Sequence, residues 1–545
     1  MLQPLDASRR QWVESTLEHM TMEQCVGHLL CPEDRKYTVD DWREIVRRVP
    51  FGSVFIHGFS LEEMKAKTAA IQAESSIPVL IAADMEHGAV GIRDKLTTNF
   101  PFPMGCAAAD DPELLYRVGR ITALESRRAG VHWTFSPVVD LLLNFRNHVT
   151  TTRALGDDPD RTIPLLRRLI DGLQEGGLMA ATAKHFPGDG VDDRDQHLCT
   201  SVNSLPSDQW FDLYGRVWQA AIDTGVMSIM AGHIAFPDWQ GQSDDPAAAL
   251  PATLCSKLQI DLLRHKLGFQ GVLVSDAAPM IGLTSRAPAD EIAWRNLAAG
   301  SDVFLFADPV KDFERVMTAI KTGRLSEERV YESVRRVLEM KARLGLPQDC
   351  FAPELTSEQL AGHQAVAQQI ADRSITEVRQ HPDLLPLPPA ARLLTVTVTV
   401  KDHGRPIKEL EVVDEELRRR GFTVEHCQNP DHNFLLDNLD RFDRILVNFF
   451  MMQHMSIGRI MMSGGEMMPF WRAFYANAPD KVVFTSFGNP YVLYEQPHIN
   501  NLLLAYCAEE VSQRATVKVW CGELRPQGRC PVRLPQIKVR PWSPA

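Results

Sequence analysis

Between Lys184 and His197 the chain reads KHFPGDGVDDRDQH, the densest set of ionisable groups beside glycines in its 545 residues. Asp195 stands two positions before His197. A carboxylate so close to an imidazole can fix its tautomer and stabilise its cation, which suits proton transfer near neutral pH. Asp276, in VLVSDAAPM, ends a β-branched run and is followed by small residues that leave room beside it. A carboxylate in such a place serves as a base, a metal ligand or a nucleophile. Asp84, Lys184, His185 and His233 also close apolar runs. The competing reading of the KHFPGDG stretch is a solvated acidic loop with an N-capping aspartate.

The elements that must position these residues follow from periodicity. GSVFIHG, PVLIAAD, VHWTFSPVVD, MAATAKHF, VMSIMAGH, GVLVSD and DVFLFAD have the length and apolarity of buried strands. Between them lie helical patterns such as SLEEMKAKTAAIQAES, DPELLYRVGRITALESRRAG and RTIPLLRRLIDGLQEGG. Alternation of the two predicts parallel strands joined by crossovers. Over some 300 residues it predicts an N-terminal (β/α)8 TIM-type barrel, residues 1–350, in which the carboxyl ends of all strands share one face. Residues 351–390 are expected to be a linker, with an amphipathic helix opened by a Ser-x-Gln cap and then a proline-rich run. Residues 391–545 are expected to form a smaller α/β sandwich with strands at LLTVTVTV, RFDRILVNFF, KVVFTSFG and NLLLAYC, closed by TVKVW and PVRLP. The overall class is α/β. Met451, Met452, Met455, Met461, Met462, Met467 and Met468 form a cluster read as irregular packing or a flap.

Composition narrows the partners. Apolar residues are 44% and charged residues 23%, as in ordinary globular proteins. A net charge of −12 argues against nucleic acid or an anionic membrane. No apolar window is long enough to span a bilayer, and the N-terminus lacks a signal-type apolar core. The ten cysteines are scattered with no CxxC pair, which predicts free thiols and a cytoplasmic location. No HExxH, calcium loop, P-loop, GxGxxG after a strand or GxSxG elbow occurs, so no metal and no cofactor are expected.

What remains is one isolated carboxylate and one carboxylate-supported histidine at a common mouth. That pairing suits double displacement at the anomeric carbon of a sugar. Asp276 would attack, and His197 would protonate the departing oxygen and then activate water. Asp84, Arg153, Lys184, His185 and His233 would bind the sugar, with charge-assisted bonds to its hydroxyls.

As a set, KHFPGDG…DQH, the SD at Asp276, IAADMEHG, TRALGDDP and PATLCSKLQIDLLRHKLGFQGVLVSD resemble glycoside hydrolase family 3. The Asp-x-His ending is most similar to its β-N-acetylglucosaminidase branch, whose usual form is KHFPGHG…DSH. The resemblance runs through NPYVLYEQP and CGELRPQGRCPVRLP, and so covers essentially the whole chain. It implies Asp276 as nucleophile, His197 as acid/base with Asp195 as its partner, and Asp84, Arg153, Lys184 and His185 as sugar-binding residues. The implied substrate is a small oligosaccharide or glycoside, and the implied state is a monomer or homodimer. Five positions depart from the usual pattern. E-G-G-R-V reads Glu86-His87-Gly88-Ala89-Val90, the loop histidine is Asp189, the serine before His197 is Gln196, and the aspartate after the nucleophile is Ala277. The expected activity is therefore a retaining exo-β-glycosidase removing terminal β-N-acetylglucosamine. Alternatives are a β-glucosidase or mixed-specificity glycosidase, a phosphorylase, and a silent sugar-binding protein.

Overall fold

The computed structural model describes residues 1–34, 37–94, 96–380, 383–399, 410–451, 474, 478 and 480–535. These form an α/β protein that divides into two compact units, one of residues 1–99, 112–147 and 158–363, the other of 100–111, 148–157 and 364–545.

The first unit is built on very short strands. Ser53–Ile56, Leu80–Ala83, Ser228–Ala231 and Val272–Ser275 are buried at every position, so both faces are covered, as parallel strands require. Glu33–Asp34 pairs with Ser53–Ile56, that strand with Leu80–Ala83, and that with Trp133–Thr134, all in parallel. Single parallel bridges, Trp133 to Ala180 and Val138 to Lys184, lead on to Thr182–Phe186. Ser228–Ala231 and then Val272–Ser275 follow. A bridge from Val274 to Val303 reaches Phe304–Leu305, which pairs with Leu30–Cys31, just ahead of the first strand in the series. Phe55, Trp133, Phe135, Val274 and Leu305 share one apolar core. The rings of Phe55 and Phe135 are stacked, with centroids 5.6 Å apart.

Helix starts follow local chemistry. Ser60 and Glu63 make a reciprocal cap on Leu61–Ala73. The helix Ser357–Ser374 is capped by Thr356 with Gln359, and not by the expected Ser-x-Gln pair. The reciprocal cap needs a three-residue offset, which Ser357 and Gln359 lack.

The second unit holds a six-stranded sheet in the order Thr376–Arg379, Leu502–Leu504, Val482–Ser486, Arg444–Phe450, Arg392–Thr399 and Thr423–Gln428. Only the Thr376–Arg379 edge is antiparallel to its neighbour. Two of the strands expected to close this domain do not form. TVKVW lies within the helix Glu510–Trp520. There the Thr516 hydroxyl donates to the Ser512 carbonyl one turn back, and Val517, Val519 and Trp520 are buried. Tertiary burial overrides β-propensity. PVRLP, residues 531–535, forms no strand; two of its five residues are prolines, which cannot donate to a ladder. The edge strand Thr423–Gln428 escaped sequence reading because its exposed, polar run has no apolar signature. Met451 is buried, and the rest of the methionine cluster lies outside the described residues.

No helix among the described residues is long and apolar enough to cross a membrane.

Candidate active site

Lys184 and His185 stand in the Thr182–Phe186 strand, where pairing with Ser228–Ala231 slips between Ala183 and Phe186. Such irregularities re-aim side chains near functional sites. The buried Lys184 ammonium meets Glu86 at 2.8 Å and Asp84 at 3.3 Å. Asp84 is about half exposed and Glu86 largely covered, so the cation is held from the inside while one carboxylate faces out. His185 is fixed from behind. Its Nδ1 lies 2.8 Å from one oxygen of Asp140, and its backbone N–H donates to the other at 3.1 Å. Asp140 is fully buried and also accepts the Asp189 N–H at 2.7 Å.

The loop after this strand is pinned by its glycines and by aromatic donors. Gly188 has φ of 131°, and a Cβ there would fall 2.3 Å from the Tyr214 ring, so no larger residue fits. The indole N–H groups of Trp210 and Trp218 both donate to the Pro187 carbonyl at 3.0 Å. Asp189 is buried, and burial, then the Asp140 charge, push its carboxyl up to about 7.

Further along the loop, one carboxylate oxygen of Asp195 accepts the His197 N–H at 2.8 Å and lies 2.7 Å from its Nδ1. Asp195 is buried, whereas the His197 side chain is 24% exposed. The ring therefore has one nitrogen fixed on a buried carboxylate while part of its surface stays exposed. Asp276 follows the Val272–Ser275 strand, with its N–H donating to the Ala231 carbonyl at 2.8 Å. Burial pushes the Asp276 carboxyl up. The charges of His185 and His233, the Ala277 N–H at 2.7 Å and the charge of His197 outweigh burial and hold it below the usual carboxylate range. Asp276 is thus a buried carboxylate that stays ionised, within electrostatic reach of three histidines.

His233 is fully buried. Its Nε2 is 2.9 Å from the Ala277 carbonyl, and its Nδ1 is 3.0 Å from the Thr253 hydroxyl. The carbonyl only accepts, so Nε2 carries a proton. Burial lowers its basicity and outweighs the Asp276 charge, which raises it. Arg153 ends a short turn, Thr151–Arg153, in the second unit, and donates to the Val149 carbonyl at 3.1 Å.

The first unit thus joins Asp84, Lys184, His185, His233 and Asp276 with Asp195 and His197. It adds Asp140, which sequence reading had not placed there, and brings Glu86 onto Lys184. Asp140 had a signal, since it closes VHWTFSPVVD as Asp84 closes PVLIAAD. Among the described residues no three of His, Cys, Asp and Glu form a group suited to a metal ion. The arrangement can deliver an ionised carboxylate and a proton-carrying imidazole to one substrate.

Comparison with known proteins bears on which substrate. Residues 21–340 match the glycosyl hydrolase family 3 N-terminal domain. The chain is 32% identical to a β-N-acetylglucosaminidase/β-glucosidase of Cellulomonas fimi, over 97% of this chain and 96% of that one. It is similar to a solved structure of the β-glucoside phosphorylase BglX bound to 2FGlc, with a TM-score of 0.88 and 31% identity over 97% of each chain. It is also similar to a family 3 β-N-acetylglucosaminidase from Paenibacillus sp. str. FPU-7, with a TM-score of 0.84 and 25% identity, over 94% of this chain and 99% of that one.

Proposed function

The chain belongs to glycosyl hydrolase family 3, and on that premise we propose that it is a retaining exo-β-glycosidase removing terminal β-N-acetylglucosamine. The carrying observation is Asp276, a buried carboxylate kept ionised by the histidines around it. In the first step Asp276 attacks the anomeric carbon while His197, as the cation, gives its proton to the departing oxygen. A glycosyl ester on Asp276 and a free aglycone result. In the second step neutral His197 takes a proton from water as the water oxygen attacks the same carbon, and the Asp276 carboxylate leaves. Asp195 holds His197 in the tautomer that turns Nε2 toward the substrate and stabilises the cation.

Lys184, His185 and Asp84 bind sugar hydroxyls, and Glu86 fixes the Lys184 ammonium. Arg153 is assigned to the sugar by the TRALGDDP motif in which it stands. His233 forms the wall behind Asp276, since both ring nitrogens face protein atoms. We read the first unit as a (β/α)8 barrel, supported by the series of parallel pairings that returns to its start and by the polar residues at strand carboxyl ends. Residues 351–390 are read as the connection to an α/β sandwich over 391–545, a connection whose Thr376–Arg379 strand joins the edge of that domain's sheet.

A second reading is favoured by the similarity to a β-glucoside phosphorylase. Phosphate would replace water in the second step, and a neutral imidazole would not repel it as a carboxylate would. The product would then be a sugar 1-phosphate. The experiment is an aryl β-glycoside panel differing at the 2-position, with and without phosphate, on the native protein and Asp276→Ala. Turnover of the 2-acetamido substrate, lost in Asp276→Ala, is expected. Unchanged turnover in that variant rejects the assignment.

A further inference from the structure

Asp195 orients the His197 ring, but a second set of contacts decides where the loop carrying both is placed. Gln196, between them, is fully buried, and its side chain faces inward. Its amide oxygen accepts the His233 backbone N–H at 2.9 Å, and its amide nitrogen donates to Asp189 at 3.3 Å. On the first arm, His233 Nε2 donates to the Ala277 carbonyl, and the Ala277 N–H donates to the Asp276 carboxylate. On the second, Asp189 accepts from the Asn147 side chain at 2.8 Å, and its own N–H donates to Asp140, which holds His185. One amide thus ties the His197 loop to the backbone under Asp276 and to the support of His185. The main chain adds to this. The Gln196 and His197 carbonyls accept from the Gly282 and Ile281 N–H groups at 3.1 Å. A Cβ at Gly282 would stand 2.6 Å from the Gln196 carbonyl, so a side chain there would push the loop away.

We propose that Gln196 and Asp189 act as one coupled positioning pair that sets the reach of His197 toward the bond Asp276 attacks. This rests on the roles given above to Asp276 and His197. The two departures from the usual loop sequence at these positions are then one change. A serine at 196, with its hydroxyl on Cβ, is too short to span from the His233 N–H to Asp189. The longer amide does so, and the carboxylate at 189 gives its nitrogen an acceptor. A side chain that cannot bridge leaves a buried N–H and a buried carboxylate oxygen unsatisfied, and the loop is free to shift. Displacement of a catalytic group by about 1 Å costs on the order of 100-fold, and the loss falls where proton transfer matters most.

The test is kcat/KM for an alkyl and a dinitrophenyl glycoside of the same sugar, with Q196M, D189A, the double variant, D189N and H197A. Methionine keeps length and volume without the amide. Q196M is expected to lose about 10- to 100-fold on the alkyl substrate and less than about threefold on the activated one. The double variant should be no worse than Q196M, and D189N, whose single amide oxygen is drawn to the Asn147 and Gly190 donors and turns its NH2 toward the Gln196 NH2, should lose rate on the alkyl substrate as Q196M does. Equal loss on both substrates, or a lowered unfolding temperature with unchanged rates, overturns the proposal. Should Q196M fail to fold, Q196E keeps the acceptor for His233 but loses the donor to Asp189, and the same comparison applies. If H197A itself shows no difference between leaving groups, the active-site roles fail and this inference with them. If H197A discriminates and Q196M does not, this inference alone fails.

Discussion

Replacing Asp195 with asparagine tests what the carboxylate contributes beyond geometry. In the native site a single oxygen of Asp195 takes both the His197 N–H and the Nδ1 proton. An asparagine keeps its amide oxygen there, because turning the NH2 inward would set it against two donors. The tautomer is therefore preserved, and the large loss that a wrong tautomer causes is not expected. What is lost is charge. A hydrogen bond to a charged group contributes about 1.5–3 kcal/mol and a neutral one about 0.5–1.5, so the cationic ring is destabilised by roughly 1–2 kcal/mol. At 1.36 kcal/mol per tenfold, that is about a 5- to 30-fold fall in kcat/KM where protonation of the leaving group limits the rate. The assay is kcat/KM across aryl glycosides of graded leaving-group acidity, since this parameter reports the first chemical step. The slope should steepen for Asp195→Asn and the best leaving groups should be unaffected. A uniform fall across the series refutes the reasoning. So does a loss near 10⁴-fold on the poorest leaving group, which would mean that the ring had turned.

Three further outcomes follow from the geometry. Lys184→Met removes the cation between Asp84 and Glu86, and steady-state kinetics should show KM raised about 10- to 100-fold with a smaller change in kcat. Asp302 is fully buried and accepts from Arg264, Arg329, Arg336, Ser333 and the Leu273 N–H. Asp302→Ala leaves Arg264 buried without its partner and should cost about 3–5 kcal/mol in urea unfolding. The pairing holds the Asp302 carboxyl below 3.8, so its contribution is present above that pH and lost as pH falls below it. Asp189 has the opposite sign. It is raised from 3.8 to about 7 by burial and then by Asp140, so the native state binds this proton more tightly and stability falls as pH rises through that window. Asp189→Asn should gain stability relative to the native protein between pH 4 and pH 7, measured as urea midpoints; no such pH trend would mean the carboxyl is already ionised at low pH.

Legibility in the sequence tracked how local each cause was. The helix over Leu61–Ala73 and the strands ending at Ala83, Ala231 and Ser275 could be read because cap residues and apolar runs are contiguous. TVKVW misled because a β-branched run fits a strand as well as a buried helix face. Only its packing within Glu510–Trp520 separates the two. Thr376–Arg379 lies in the segment expected to be a linker and has no apolar run of its own to mark it. Its strand state depends on pairing with Leu502–Leu504, more than a hundred residues away.

By itself the sequence determined the groups available for chemistry. It also put Asp195 and His197 two residues apart in one glycine-led loop, close enough for a carboxylate and an imidazole to meet once the loop is formed. The fold decided what keeps Asp276 ionised, what stands behind His185, and what holds the His197 loop in place. Those answers depend on burial and on charges from strands about 40 to 100 residues apart. Spacing along a chain does not record which side chains share a low-dielectric space; only the packed structure does.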